Sequence, residues 1–167
     1  MTIEDTINNP RSEQTLLIIK PDAIERGLQF IILQKVIEKG YSIPCIYQTH
    51  ASEELLREHY QNVFEDKGPE IGEQVVEYMS SGPVIVAVVQ GNKAVEQIRK
   101  LCGEKTEPTK CPQGTIRSDY AASDYDLAGL EGIAVKNLVH TSDSPESAIR
   151  EIELWCCSTE AIMPYTK

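Results

Sequence analysis

The chain has 167 residues, 41% apolar and 25% charged, with a formal net charge of −10. That length supports one hydrophobic core rather than two, and so acidic a surface repels nucleic acid, which is not an expected partner. Five cysteines, at 45, 102, 111, 156 and 157, form no Cys-x-x-Cys pair, and three histidines give no zinc-finger spacing, so free thiols and a cytoplasmic setting are expected.

Residues 1–13 are polar and acidic, contain Asn8-Asn9-Pro10, and lack the apolar stretch of a signal peptide; they read as a flexible N-terminal arm. No apolar run approaches the roughly 20 residues that span a bilayer, so no membrane partner is expected. Thr15-Leu16-Leu17-Ile18-Ile19 is an unbroken apolar run and predicts a buried central strand, ended by Lys20 and Pro21. Asp22–Glu25 starts one helical turn that Gly27 closes. From Leu28 to Lys39 the period is helical, with Phe30, Ile31, Leu33, Val36 and Ile37 grouped on one side, and Gly40 terminates it. Tyr41–Thr49 is a strand in which Pro44 predicts an edge or a bulge.

Ser52 caps a helix running to about Tyr60, Glu65–Gly68 reads as a loop, and Pro69 opens a helix over Glu70–Met79. Val84–Val89 is a second central strand, after which Asn92 caps a helix from Lys93 to about Leu101. Gly103–Arg117 fits no period, and long ordered loops in compact domains usually carry function. Ser118–Gly132 is polar and gives no clear element; Ile133–Val139 reads as the fourth strand and Pro145–Cys157 as the last helix. Residues 14–160 are thus expected to form one domain, with 161–167 a short tail. Four short strands separated by helices predict an α+β ferredoxin-like sandwich: a four-stranded antiparallel sheet with helices on one face.

His140 stands where the last strand leaves the core, just before Ser144-Pro145, a capping serine and a first-turn proline. Such an edge presents an imidazole to a ligand. On the helix that follows, Glu151 flanks the core face beside Ala148 and Trp155, while Glu146 and Arg150 point away and are spaced to pair. A carboxylate on one ring nitrogen of His140 fixes the tautomer and leaves the other as a nucleophile. Between Arg99 and Arg117 the chain carries Arg99, Lys100, Lys105, Lys110 and Arg117 against Glu104 and Glu107, a local +3 in an acidic protein. A solvated loop explains such a run, but so does a phosphate clamp, and Lys20, fixed at a strand end by Pro21, favours the clamp. There is no Gly-x-x-x-x-Gly-Lys-Ser/Thr loop and no protein-kinase motif set.

Four ordered motifs sharpen this. Thr15–Gly27 (TLLIIKPDAIERG), Ser80-Ser81-Gly82-Pro83, Gly114-Thr115-Ile116-Arg117 and Asn137–Ser144 (NLVHTSDS) resemble, in order, blocks of the nucleoside diphosphate kinase family. The resemblance runs from about Thr15 to Trp155. It implies a ferredoxin-like fold, a homo-oligomer (tetramer or hexamer), and Mg²⁺-dependent transfer of a γ-phosphoryl group from a nucleoside triphosphate to a nucleoside diphosphate through a phosphohistidine. By motif, His140 resembles the phosphorylated residue and Glu151 the residue that orients it. Lys20, Arg99, Thr106, Arg117 and Asn137 resemble phosphate and ribose ligands, and Tyr60 a tyrosine that closes near the phosphates. Asp143 resembles the acid that supports Mg²⁺ indirectly, and where the family stacks a phenylalanine on the base this sequence has either Ile71 or no counterpart. Departures are Thr141 and Ser118 in place of glycines, an insertion at Lys105, and longer stretches over 65–73 and 121–134. A catalytically idle nucleotide-binding or scaffold module on the same fold is the alternative; it would lose the histidine or its clamp, and here both are kept.

Overall fold

The computed structural model describes residues 12–156, the side chain of Tyr125 excepted. In chain order the elements are β1 (Glu13–Ile19), α1 (Pro21–Glu25), α2 (Gln29–Glu38), β2 (Ser42–Thr49), α3 (Glu53–His59), α4 (Gln61–Lys67), α5 (Pro69–Ser80), β3 (Val84–Gly91), α6 (Ala94–Cys102), a 3₁₀ turn (Pro108–Lys110), α7 (Ile116–Tyr120), α8 (Tyr125–Glu131), β4 (Val139–Thr141) and α9 (Pro145–Cys156). The expected arm over 1–13 lies outside the described residues up to 11, and Glu13 already belongs to β1, its carboxylate accepting from the Val95 N–H at 2.9 Å. The expected tail over 161–167 lies wholly outside them. Among the described residues no helix is long and apolar enough to cross a membrane.

The sheet order is β2-β3-β1-β4 and every pair is antiparallel. β1 is central because its run from Thr15 to Ile19 is buried throughout. Side chains alternate faces along a strand, so such a run needs cover on both sides. Leu16 and Ile18 pack with Val86 under Leu56, Met79 and Trp155 of α3, α5 and α9. Leu17 and Ile19 pack with Ala87 under Ile32, Ile98 and Ile116 of α2, α6 and α7. The four-stranded antiparallel sheet is as expected; helices on one face only is corrected to helices on both.

Pro44 does mark a bulged edge: β2 is the outer strand, and its register slips between Ser42 and Cys45. Ser52 caps α3, its hydroxyl accepting from the Leu55 N–H at 3.2 Å, and Ser144 caps α9 through the Ser147 N–H at 3.1 Å. Asn92 does not cap α6; that position is Lys93, with φ of 50°. The expected loop at 65–68 is instead the end of α4, which Gly68 closes at φ 86°. On α2 only Ile32 and Val36 are buried, while Phe30 and Ile37 of the expected stripe are 74% and 59% exposed.

The fourth strand is shorter than its apolar sequence suggests. Leu138 is fully buried at φ 73°, and the Val139 N–H donates to the Asn137 carbonyl at 2.9 Å. This is a γ-turn about a branched residue, a strained conformation. It breaks the ladder before Val139, so 133–138 is not strand. β4 begins after it, with His140 opposite Ile18 on β1.

Candidate active site

A cleft of about 540 Å³ opens at this junction. It is bounded by Lys20 at the end of β1, His140 on β4, and α4 and α5 on one wall. Arg99, Thr106 and the α8–Val135 stretch also line it.

His140 Nε2 lies 2.9 Å from Glu151 Oε2. The same oxygen accepts from the Ser142 hydroxyl at 2.7 Å, and Ser142 in turn accepts from the Leu16 N–H at 3.3 Å. Burial raises the pKa of a carboxyl, but here the charge and hydrogen bond of His140, with His59 and Ser142, override it and hold Glu151 at about 2. An ionised carboxylate only accepts, so Nε2 carries the proton and Nδ1 keeps the lone pair.

His59 ends α3 and is 2% exposed. Its ring stands edge-on to His140, with centroids 4.4 Å apart. Its Nδ1 accepts from Trp155 Nε1–H at 3.0 Å. Burial, then the neighbouring His140, pushes its pKa well below the usual imidazole value, so the ring is neutral. Possible ligand atoms of His59, His140 and Glu151 lie within 4.8 Å of one another, yet the trio does not suit a metal. With Trp155 on Nδ1, the His59 proton sits on Nε2, where an ion would need a lone pair. Tyr60 follows, buried, its ring 6.1 Å from His140.

Lys20 Nζ donates to Asn137 Oδ1 at 2.7 Å and sits 5.3 Å from the centre of the Tyr78 ring, whose hydroxyl donates to Asp22. Burial, reinforced by Arg117 and opposed by Asp22, lowers the Lys20 pKa to about 7. Asn137 Nδ2 donates to the Thr106 carbonyl at 2.8 Å, which ties the lysine to the 103–106 segment.

Arg117 is buried on α7 and largely occupied. Its Nη1 reaches the carbonyls of Gly103 at 2.8 Å and Lys105 at 3.0 Å, Nη2 that of Val139 at 2.6 Å, and Nε that of Asn137 at 3.3 Å. Four of the five N–H groups of a guanidinium are so used. Among the described residues Arg99 has only a long hydrogen bond to the Glu104 carbonyl, 3.4 Å, and it lines the cleft. Lys100 and Lys110 belong to no clamp: they pair with Glu96 and Glu107. Arg150 does not pair with Glu146 as its spacing suggested; it borders the cleft, 3.7 Å from Glu151 Oε1.

Asp143 stands at the mouth, and the Ser147 hydroxyl lowers its pKa, keeping it ionised. Ile71, 39% exposed, lines the α5 wall beside Asn62, Asp66, Glu70 and Gln74. Neither Thr141 nor Ser118 adopts a positive φ, so replacing glycine there strains nothing.

Sequence reading missed His59, Ser142, Tyr78, Asp22 and Trp155. Ser142 was within reach, since residues two apart on an extended segment share a face and His140 was already singled out. His59 was not, because nothing in a helix end shows which ring it will meet.

Chemically, a histidine with one free lone pair, backed by an ionised carboxylate and facing lysine and arginine, suits covalent transfer of an anionic group. The comparisons with known proteins narrow that class. The family model for nucleoside diphosphate kinase matches residues 13–161. A nucleoside diphosphate kinase of Pyrobaculum aerophilum is 40% identical, covering 90% of this chain and 98% of the relative. One of Streptococcus pneumoniae is 42% identical over 86% of this chain and 98% of its own length. The crystal structure of an NDP kinase from P. aerophilum superposes with TM-score 0.79 at 37% identity, over 92% of this chain and all of that one. A transition state mimic of nucleoside-diphosphate kinase from Borrelia burgdorferi, with bound vanadate and ADP, superposes with TM-score 0.84 at 28% identity over 95% of both chains. The chain belongs to the nucleoside diphosphate kinase family.

Proposed function

We propose that the chain is a nucleoside diphosphate kinase in which His140 Nδ1 takes the γ-phosphoryl group of a nucleoside triphosphate and passes it to a nucleoside diphosphate. The observation that carries this is the His140–Glu151 pair at 2.9 Å, in a cleft that Lys20, Arg99 and Arg117 also line. In the first half-reaction an N–P bond forms from the Nδ1 lone pair as the P–O bond to the departing diphosphate breaks, its electron pair leaving with that oxygen. His140 keeps its Nε2 proton and becomes cationic, which the ionised Glu151 stabilises. Such transfer needs positioning and charge neutralisation more than acid–base chemistry. Lys20, Arg99 and the remaining N–H of Arg117 supply the neutralisation, with Thr106, Asn137 and Tyr60 beside them. The site suits a Mg²⁺ that arrives on the nucleotide: Asp143 is kept ionised at the cleft, and one carboxylate supplies too few oxygens to cage the ion without the phosphates; when bound, the ion would neutralise phosphate charge. The idle alternative needs the loss of His140 or its clamp, and both are intact. Incubation with γ-labelled ATP followed by removal of nucleotide leaves one acid-labile, base-stable phosphate per subunit; protein that stays unlabelled overturns the reading.

Lys20 supplies a pH-dependent check. At pH 8 its side chain in the free protein is mostly neutral, given a pKa of about 7, and nucleotide phosphates restore the proton. Nucleotide binding near pH 8 therefore takes up close to one proton, seen as a dependence of calorimetric enthalpy on the buffer's ionisation heat. Equal enthalpies in all buffers would refute it. By linkage the unfolded chain binds more protons than the fold between about pH 7 and 10.5, so this lysine makes stability rise with pH across that window.

Base selectivity is low. The polar groups near Ile71 are exposed or half-buried, and discrimination by a hydrogen bond needs a buried partner. ATP, GTP, CTP and UTP serve as donors within roughly tenfold in kcat/KM, about 1.4 kcal/mol. Ile71→Phe restores an aromatic platform and lowers the KM for purine nucleotides; an unchanged KM places the base elsewhere.

We also infer a homo-oligomer. Phe30 and Ile37 on α2, and Ile46 on edge strand β2, form exposed apolar surface of the kind that meets a second copy. Light scattering gives the mass of four or six subunits at micromolar concentration, and a monomer mass rules this out. The free thiols Cys45, Cys102 and Cys111 support a cytoplasmic setting.

A further inference from the structure

Two polar atoms beside His140 are buried and have no hydrogen-bond partner in the described residues: Nε2 of His59 and the hydroxyl of Tyr60. Tyr60 already has a place beside the phosphates in the reading above; His59 does not. A neutral imidazole carries one N–H and one lone pair. Trp155 can only donate, so its 3.0 Å bond to Nδ1 takes the lone pair and places the proton on Nε2. The orphan is therefore a donor, on a side chain 2% exposed whose ring stands edge-on to His140. Leaving a buried donor unsatisfied is costly, and native proteins retain one where a ligand brings the acceptor. The nearby carboxylate is not that acceptor: no hydrogen bond joins Glu151 to His59, and Glu151 Oε2 accepts from His140 and Ser142. What reaches His140 in the reaction is a phosphoryl group rich in acceptor oxygens.

We propose that His59 Nε2–H donates a hydrogen bond to the phosphoryl group carried on His140, and that Trp155 is the positioning residue that fixes the tautomer making this possible. The inference rests on the phosphohistidine reading. No proton is transferred. The N–P bond forms from His140 Nδ1 while the P–O bond of the nucleotide breaks, and His59 only donates to an equatorial oxygen as its charge is redistributed. A donor locked in place before that charge arrives needs no reorganisation during transfer. The edge-to-face series of Trp155, His59 and His140 rings thus hands a single orientation from the core to the reacting atom.

The test begins with the wild-type oligomer. Its imidazole ¹⁵N–¹H signals are recorded before and after phosphorylation by ATP and removal of nucleotide. His59 is expected as the Nε2–H tautomer at the start, with that proton moving downfield and exchanging more slowly with water once His140 is phosphorylated. A phosphorylated His140 beside an unchanged His59 signal overturns the proposal and leaves the phosphohistidine reading standing. No label on His140 overturns both.

Rapid-quench kinetics give the second arm. His59→Phe lowers the rate constant for phosphorylation by about 10²-fold, the usual effect of losing one such donor, while nucleotide affinity stays within about twofold. His59→Gln, whose amide can accept from Trp155 and donate from its NH₂, recovers most of the rate. Trp155→Phe gives a smaller loss, and the Nδ1–H form of His59 becomes visible in the ¹⁵N spectrum. Wild-type phosphorylation by His59→Phe, or no recovery in His59→Gln, overturns the assignment.

Discussion

His140→Ala loses phosphate labelling and transferase activity together, with residual transfer at least about 10⁴-fold below wild type, some 5.5 kcal/mol of barrier. The size follows from the lack of a substitute. His59, the nearest other imidazole, has its lone pair taken by Trp155 and is protonated on the remaining nitrogen. Lys20 is held against Asn137 and becomes charged when phosphate binds, so it cannot attack. The variant still binds nucleotide through Lys20, Arg99 and the wall of α5, so equilibrium binding separates lost chemistry from a lost site. Full labelling in the alanine variant would move the nucleophile elsewhere.

The two changes at Glu151 separate orientation from charge. In Glu151→Gln the amide oxygen can still accept from His140 and Ser142, so the ring keeps its tautomer and only the negative charge is gone; transfer falls by about 10²-fold. In Glu151→Ala the ring is free to turn and to move its proton to Nδ1, and the loss approaches about 10⁴-fold, as when a histidine loses the carboxylate that fixes its tautomer. Equal losses in both variants would mean that charge alone matters. The glutamine variant also changes acid stability. Glu151 titrates at about 2 in the fold against 4.5 when unfolded. Its contribution, about 3 kcal/mol, is therefore present above pH 4.5 and lost as pH falls toward 2. Wild type should lose that stability on acidification and Glu151→Gln should not, as measured by denaturant midpoints across the window.

How far the sequence reached depended on the range of the interaction. The central strand was legible because Leu16–Ile19 is an unbroken apolar run; that the same run requires helices on both faces follows from strand geometry, and one-sided packing was the wrong inference from a correct strand. Pro44 gave the edge and the bulge of β2, since the missing N–H is a local property. The fourth strand was overextended because apolar residues at 133–139 read alike whether paired or not. Only the positive φ of Leu138, buried in one cluster with Leu17, Ile19 and Ile116, shows where the ladder stops. At the site, Glu151 was found from its helix phase beside His140, a separation of 11 residues. His59 is 81 residues from His140, and the sequence holds no sign of that meeting. Phe30 and Ile37 were grouped on the apolar side of α2, but a helix period marks a stripe without saying whether its partner lies in the same chain.

The guanidinium of Arg117 joins the loop at Gly103 and Lys105 to the strand at Val139 through carbonyls alone. Loop and strand therefore open as one cooperative unit: neither can leave without breaking the same buried charge-assisted bonds. A lesion anywhere in residues 103–105 spreads to the backbone that presents His140. On the proposed mechanism, removing Arg117 is expected to combine two losses, a missing positive charge at the phosphates and a loosened register at His140. Lysine in its place restores the charge but not the fork, so the second loss persists after the first is repaired.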